Sequence, residues 1–244
     1  MSPIAVAVVV PVHDEAALLD ACLAALTAAV AHARRTHPGI RVAPVVVLDA
    51  CTDASERIAR SWPVSIRRID ARRVGTARRK GVEAALAELG SPAPDDTWIA
   101  TTDGDSTVPV TWLTHQLDLR AAGADVVLGT VRPDFADLTP AHTAHWIATH
   151  PRGAPAGNVH GANLGMSAAV HLAAGGFPDL DEHEDVEVVR AARASGARVV
   201  ATDDNEVTTS GRFEGRTPGG YAAFVHATHQ RIAGGAGRAG RAGR

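Results

Sequence analysis

Apolar and amphipathic stretches alternate along the first half of the chain. A valine-rich run from Ile4 to Val10 predicts a strand buried on both faces, and leucines at helical spacing predict a helix over residues 15–36. The pattern then repeats, with further strands predicted at 42–48, 64–69, 98–102 and 125–131 and further helices at 53–61, 75–89 and 109–122. Such alternation is typical of an α/β fold in which helices cover both faces of a mostly parallel, Rossmann-like sheet.

The second half of the chain is less regular. We predict helices near 139–149 and at 181–195, strands at 197–202 and 206–209, and a last helix at 218–232. Residues 233–244, rich in glycine and arginine, carry too few apolar side chains for a core and are predicted to be disordered. The length of 244 residues fits one domain, with residues 1–131 and 132–232 as its two halves.

Composition narrows the functional classes. A formal net charge of −3 argues against a dedicated nucleic-acid binder, which needs a basic surface. The two cysteines, Cys22 and Cys51, are too few for a disulfide framework. No apolar run approaches the ~20 residues of a membrane-spanning helix. We therefore expect a cytoplasmic protein that is not integral to a membrane and does not bind nucleic acid.

Acidic residues follow several of the predicted strands. In parallel sheets, ligands bind beyond the carboxyl ends of the strands, so these loops are candidate binding elements. Asp103 and Asp105 flank one glycine directly after a strand, and two such carboxylates can converge on a hard cation, Mg²⁺ or Mn²⁺. Asp49 ends another strand, where a carboxylate can accept hydrogen bonds from a base or a ribose. The alternative for each is a solvated turn or a helix cap.

Two predicted helices begin with charged residues. The helix at 75–89 opens with the cations Arg78, Arg79 and Lys80, which suit an anionic ligand at a helix N-terminus. Of these we select Arg78, although a basic solvated face is the alternative. The helix at 181–195 opens with Glu184 and Asp185. One of these carboxylates could face the site as a general base, or both could merely stabilise the helix dipole.

Taken in order, these motifs resemble glycosyltransferase family 2, whose members have the GT-A fold and transfer sugar from a nucleotide-activated donor. The matching segments are VVVPVHDE, LDACTDAS, VGTARRKGVEAAL, TTDGDSTVPVTWL, GANLGM and HEDVEVVRAARASG, and together they span about residues 4–232. Each segment alone is a weak signal. Their shared order along the chain makes the resemblance specific.

The resemblance implies a reaction and a set of partners. The donor would be a UDP- or GDP-linked sugar, the acceptor a small-molecule or lipid-linked hydroxyl compound, and the cofactor Mg²⁺ or Mn²⁺. Residues 1–131 would form the nucleotide-sugar-binding half, and residues 132–232 the acceptor-binding and catalytic half, with a smaller acceptor-side lobe. Transfer would invert the anomeric centre by direct displacement.

The same resemblance assigns roles to individual residues. Asp185 would be the catalytic base, with Glu184 as its rival. Donor contacts would come from Pro11, Glu15, Asp49, Arg78 and Asp103, the metal ligands would be Asp103 and Asp105, and acceptor or diphosphate contacts would come from Gly161 and Asn163. Where the family has a further basic element, this sequence offers instead Arg212 and Arg216, which could bind a diphosphate or an acidic acceptor.

The sequence departs from the family pattern in two places and leaves alternatives open. Leu48 stands where the acidic loop usually begins with a carboxylate, and the family's QxxRW element is absent. A retaining transferase, a nucleotidyltransferase and a non-catalytic sugar-nucleotide-binding protein remain as other interpretations. A homodimer is left open as well.

Overall fold

A computed structural model describes residues 5–215 and 219–239. The strands are β1 Ala5–Val12, β2 Arg41–Asp49, β3 Ser65–Ile69, β4 Thr97–Thr101, β5 Ser106–Thr107, β6 Val126–Pro133, β7 Leu164–Ser167 and β8 Val199–Thr209. The helices are α1 Leu19–Thr36, α2 Ser55–Ala59, α3 Val74–Glu88, α4 Trp112–Ala121, α5 Pro140–Thr149, α6 Ala168–Ala173, α7 Glu184–Ala194 and α8 Tyr221–Ala239.

The strands form one 8-stranded sheet in the order β3-β2-β1-β4-β7-β6-β8-β5. Neighbours from β3 to β4 pair in parallel, as do β6 and β8, whereas β7 is antiparallel to both β4 and β6 and β5 is antiparallel to β8. Consequently β1 to β4, β6 and β8 share one direction, and their carboxyl ends meet at one edge. The predicted mostly parallel sheet is confirmed.

Helices pack on both faces of this sheet, as predicted. Along β1, Val6, Val8 and Val10 face a core layer completed by α1 and α4. The residues of β1 between these valines, such as Val9, face the opposite side of the sheet, where α3, α6 and α7 complete a second core layer. Because the strand is buried on both faces, its sequence is continuously apolar rather than alternating.

Helix α3 lies unusually close to the sheet. A Cβ atom at Gly81 would stand 2.3 Å from Val9 Cγ1 and 3.0 Å from Val47 Cγ2, so only glycine fits at this contact. Since α3 follows the carboxyl end of β3, this contact also fixes the N-terminal turn of α3, with Arg78, beside the carboxyl edge.

Several elements differ from the sequence-based expectation. Residues predicted as two strands, 197–202 and 206–209, form the single strand β8, because a register shift opposite Gly129 and Val131 absorbs the residues between them. The short elements β5, β7 and α6 were not predicted, since they are too brief to show a period.

The last helix is longer than predicted. Helix α8 continues to Ala239, beyond the expected end at residue 232, so residues 233–239 are helical rather than disordered. Extending an existing helix needs no new nucleation, which helps even a glycine-rich segment to continue it. Residues 240–244 lie outside the described part of the chain. Among the described residues, no helix combines the length and apolarity needed to cross a membrane.

Gly81→Ala should destabilise the fold, although alanine is the better helix former. Helix propensity would favour alanine by about 1 kcal/mol, but overpacking against the stiff, buried Val9 costs about 1–3 kcal/mol. Urea unfolding should show a lower midpoint, whereas Lys80→Ala, at an exposed position of the same helix, should leave it nearly unchanged. A stabilised Gly81→Ala variant would show that α3 is not tightly packed on the sheet.

Candidate active site

A cavity of about 800 Å³ opens at the carboxyl edge of the sheet. Loops after the strands, the first turns of α3 and α7, and residues 149–162 form its walls. The predicted site residues that line it are Pro11, Glu15, Asp49, Arg78, Asp103, Asp105, Gly161, Glu184, Asp185 and Arg212. Arg216 lies outside the described residues.

Arg78 joins the two sides of this cavity. Its side chain is 4% exposed and forms ion pairs with Asp103, after β4, and with Glu184, in the first turn of α7. A guanidinium presents its donors in a rigid fork, so it holds both carboxylates in defined positions. Removing one partner of such a buried pair is costly, because the remaining charge stays out of water.

Gly161 completes the surroundings of Arg78. A Cβ atom there would stand 2.2 Å from Arg78 Nη2, so the guanidinium packs directly on the backbone. The Gly161 N–H donates to Asp185 Oδ2 at 2.6 Å, and its carbonyl accepts a hydrogen bond from Thr101 Oγ1 at 2.6 Å. Gly161 therefore connects β4 to the carboxylate of Asp185, and it contributes backbone rather than side-chain chemistry.

Asp105 lies beside a second arginine. Arg212 Nη2 is 2.9 Å from Asp105 Oδ2, and the same guanidinium forms a bidentate pair with Glu15 at 2.7 and 2.8 Å. The other oxygen of Asp105, Oδ1, accepts hydrogen bonds from Ser106 Oγ at 3.1 Å and Thr209 Oγ1 at 3.2 Å. Thr209 ends β8, so β8 helps to orient Asp105.

Negative charge exceeds positive charge in this group. Burial raises the pKa of Asp103 to about 6; Arg78 opposes the shift, and the nearby carboxylates of Asp105 and Asp185 add to it. The cluster contains five carboxylates and two guanidiniums. The carboxylates are Glu15, Asp103, Asp105, Glu184 and Asp185, and the guanidiniums are Arg78 and Arg212. Such a surplus favours a cation, and Asp103 and Asp105 are the residues placed to hold one.

Asp49 serves a structural purpose within the site. Its Oδ1 accepts the N–H groups of Ala71 and Arg72 at 2.7 and 2.8 Å, and its Oδ2 accepts that of Arg73 at 2.9 Å. A carboxylate has about four acceptor positions, so most of them are occupied. Asp49 fixes the chain that enters α3, and its contact with a donor stays a prediction.

Asn163 does not line the cavity, which corrects its expected role as an acceptor contact. Its side-chain NH₂ donates to the carbonyls of Thr130 and Asn205 at 2.9 and 3.0 Å, and its side-chain carbonyl accepts from Trp112 Nε1 at 2.8 Å. The side chain is 3% exposed. Asn163 therefore supplies hydrogen-bond partners to buried groups of β6 and β8 where the register between these two strands shifts, and its role is structural.

Sequence reasoning missed an aromatic wall of the cavity, formed by the α5 region and α8. Trp146 and His150 of the α5 region stack with ring centroids 3.8 Å apart, and Tyr221 and Phe224 of α8 contact Trp146 edge-on at 6.3 and 6.2 Å. Aromatic residues at helical spacing also occur wherever two helices pack, so the sequence held no specific signal for this wall.

His160, which was also missed, lies near Asp185 on the cavity wall. Burial lowers the pKa of His160, and the carboxylate of Asp185 partly opposes the shift. The imidazole thus places a neutral, polar ring beside the candidate base at neutral pH.

Solved glycosyltransferase structures resemble this fold at low sequence identity. TarS from S. aureus superposes with a TM-score of 0.58 at 14% identity, over 85% of this chain and 60% of that chain. The mannosyltransferase PcManGT from Pyrobaculum calidifontis gives 0.57 at 18% identity, over 100% and 77%. Glucosyl-3-phosphoglycerate synthase from Mycobacterium tuberculosis gives 0.53 at 14%, over 94% and 79%.

These likenesses concern the fold, and this chain spans only 60% of the TarS chain. No curated protein matches the sequence significantly. What the solved structures share with this chain is the GT-A fold, a sheet covered by helices on both faces, and in this chain a large cavity lies at the carboxyl edge of that sheet. Residues 7–182 match the sequence model of glycosyl transferase family 2, and the chain belongs to that family.

Asn163→Ala should destabilise the protein through unpaired buried groups. Each polar group left without a partner costs about 1–3 kcal/mol, and three are involved here. Denaturant unfolding should show the loss. The matched substitution Asn158→Ala changes an exposed residue of the cavity wall and should have little effect. Equal stability of the two variants would contradict the structural role of Asn163.

Proposed function

We propose that this protein is a metal-dependent, inverting glycosyltransferase that uses a UDP- or GDP-linked sugar. The observation that carries the proposal is the link made by Arg78. It ties Asp103, on the side of the candidate metal ligands, to the first turn of α7, which carries Asp185. One rigid group therefore sets the donor side and the acceptor side of the same cavity.

Complexes of similar folds support this donor class. TarS has been solved with UDP, and PcManGT with GDP-Man and Mn²⁺. Glucosyl-3-phosphoglycerate synthase has been solved with Mn²⁺, UDP and phosphoglyceric acid. A nucleoside diphosphate and a divalent cation are accordingly the ligands we assign to the donor side here.

The residues present fit such a cation. Asp103 and Asp105 offer hard oxygen ligands within a surplus of carboxylates, which suits Mg²⁺ or Mn²⁺. Among the described residues there is no cluster of three or more histidine, cysteine or acidic side chains arranged for a metal. We therefore assign the other coordination positions to diphosphate oxygens and water. The cation would supply Lewis-acid stabilisation to the departing nucleoside diphosphate.

Asp185 suits the role of base better than Glu184 does. Both carboxylates line the cavity, but Glu184 is 2% exposed and paired with Arg78, whereas Asp185 is half-buried and forms no ion pair with Arg78. The Gly161 N–H fixes Asp185 Oδ2, so the carboxylate has a defined orientation. In the proposed reaction, Asp185 takes the proton of the acceptor hydroxyl as its oxygen attacks the anomeric carbon. The bond to the diphosphate breaks on the opposite side, and the configuration inverts.

The acceptor side combines apolar rings with polar groups. Tyr221 and Phe224 present ring surface, and Asp185 and His160 present polar atoms nearby. This combination suits an acceptor that has an apolar or ring-shaped body and a free hydroxyl. We assign a small-molecule or lipid-linked alcohol of this kind to residues 132–232.

Asp185→Asn should abolish transfer while donor binding persists. Asparagine keeps the size but cannot take a proton, so kcat should fall by ~10²-fold or more. Isothermal titration with nucleotide and Mn²⁺ would verify that the donor side is intact. Glu184→Gln should instead lower the free energy of unfolding and reduce kcat less. The reverse ranking of kcat, with donor affinity retained in both, would assign the base to Glu184. Small effects in both variants would favour a retaining mechanism.

Asp105→Ala should remove the Mn²⁺ dependence of nucleotide binding without unfolding the protein. The affinity for UDP and GDP, measured with and without Mn²⁺, should differ in the unsubstituted protein and coincide in the variant. Asp95→Ala removes the same charge at an exposed position that does not line the cavity and serves as the control. Unchanged Mn²⁺ dependence in Asp105→Ala would refute the metal assignment.

A further inference from the structure

The two arginines of the site hold their carboxylates in different ways. The side chain of Arg78, near the N-terminus of α3, is 4% exposed and binds Oδ1 of Asp103. Arg212 is 30% exposed, and the carboxylates that it binds, Glu15 and Asp105, are 11% and 15% exposed. Arg212 is thus the accessible member of its cluster, whereas Arg78 is enclosed.

Arg212 occupies the outward oxygen of Asp105. Oδ1 of Asp105 already accepts hydrogen bonds from Ser106 and Thr209, so Oδ2 is the oxygen available to a cation, and Arg212 Nη2 lies 2.9 Å from it. A guanidinium keeps its charge at any pH at which proteins fold. It therefore cannot share that oxygen with a divalent cation without strong repulsion.

The backbone around Arg212 is anchored while its side chain is not enclosed. The Gly211 N–H donates to Asp137 Oδ2 at 2.8 Å, and the Arg212 N–H donates to Ser210 Oγ at 3.3 Å. These contacts tie the segment after β8 in place. Rotation of the long side chain alone can carry the guanidinium from Asp105 into the cavity.

We propose that Arg212 is a positioning residue that exchanges partners during donor binding. Before the donor enters, its guanidinium neutralises Asp105 and Glu15 in place of the metal. Metal binding at Asp105 would displace the guanidinium, which would then bind the donor diphosphate, for which its planar fork is suited. This inference rests on the proposed function. It adds that Arg212 and the cation compete for the carboxylate of Asp105, which the assignment of Asp105 as a metal ligand does not by itself imply.

Partner exchange predicts effects of opposite sign on two affinities. Arg212→Gln removes the competitor, so Mn²⁺ alone should bind about tenfold more tightly. The same substitution removes a diphosphate ligand, so UDP or GDP in saturating Mn²⁺ should bind about tenfold more weakly. A purely structural role for Arg212 would weaken both, because loss of the Glu15 and Asp105 contacts would loosen the site.

The test uses the full chain, with Mn²⁺ affinity read by electron paramagnetic resonance and nucleotide affinity by titration calorimetry. Arg193→Gln is the matched control: it removes the same charge from an exposed position that does not line the cavity and should change neither affinity strongly. Arg212→Lys keeps the charge and loses the fork, so its Mn²⁺ affinity should lie between those of the parent and Arg212→Gln. If Arg212→Gln does not fold, Arg212→Lys decides the question.

Unchanged or weaker binding of Mn²⁺ alone in the folded Arg212 variants would overturn the exchange. That result is distinct from failure of the proposed function. If the unsubstituted protein bound neither Mn²⁺ nor a Mn²⁺-nucleotide pair, the metal assignment would fail first, and the exchange with it. If the unsubstituted protein bound both and the variants matched it, only the exchange would be wrong.

Discussion

The buried pairing of Arg78 with Asp103 and Glu184 is the contact on which the site depends. It joins the end of β4, the first turn of α3 and the first turn of α7, which are far apart along the chain. Two glycines make this pairing sterically possible: Gly81 lets α3 pack close to the sheet, and Gly161 leaves room for the guanidinium of Arg78. A buried ion pair contributes little net stability, but its geometry is well defined. In this fold that geometry fixes the loop after β4 and the first turn of α7 relative to each other at the cavity.

The sheet was predictable because burial on both faces leaves a continuous apolar run, as in β1, which no other element imitates at that length. The strand-end carboxylates Asp103 and Asp105 were predictable for a related reason, since polar residues that directly follow a buried strand reach the carboxyl edge. By contrast, β8 was divided in two because its middle, Asp203 to Asn205, is polar. A register shift opposite Gly129 and Val131, which no local pattern records, carries the strand through it.

Partner choice among charged and polar side chains was not predictable. Glu184 and Asp185 are adjacent in sequence, and only the packing of α7 shows that Glu184 pairs with Arg78 while Asp185 accepts the N–H of Gly161. Asn163 comes two residues after Gly161 of the cavity wall, but its amide is directed into the interior by hydrogen bonds with Trp112 and two carbonyl groups. In both cases the deciding contacts come from residues distant in sequence. Spacing along the chain says nothing about such contacts.

In the proposed reaction, a cation-bound leaving group and a single carboxylate base stand on opposite sides of the anomeric carbon, an arrangement that calls for direct displacement. The anomeric configuration of the first-formed product reports on this most directly. Proton NMR can follow an α-linked UDP- or GDP-sugar with the protein and Mn²⁺. A transferred sugar keeps its anomeric configuration as a glycoside, and a sugar released to water is observed before it mutarotates. Direct displacement predicts a product of β configuration. An α product would contradict the account, because it requires either two displacements or front-side attack.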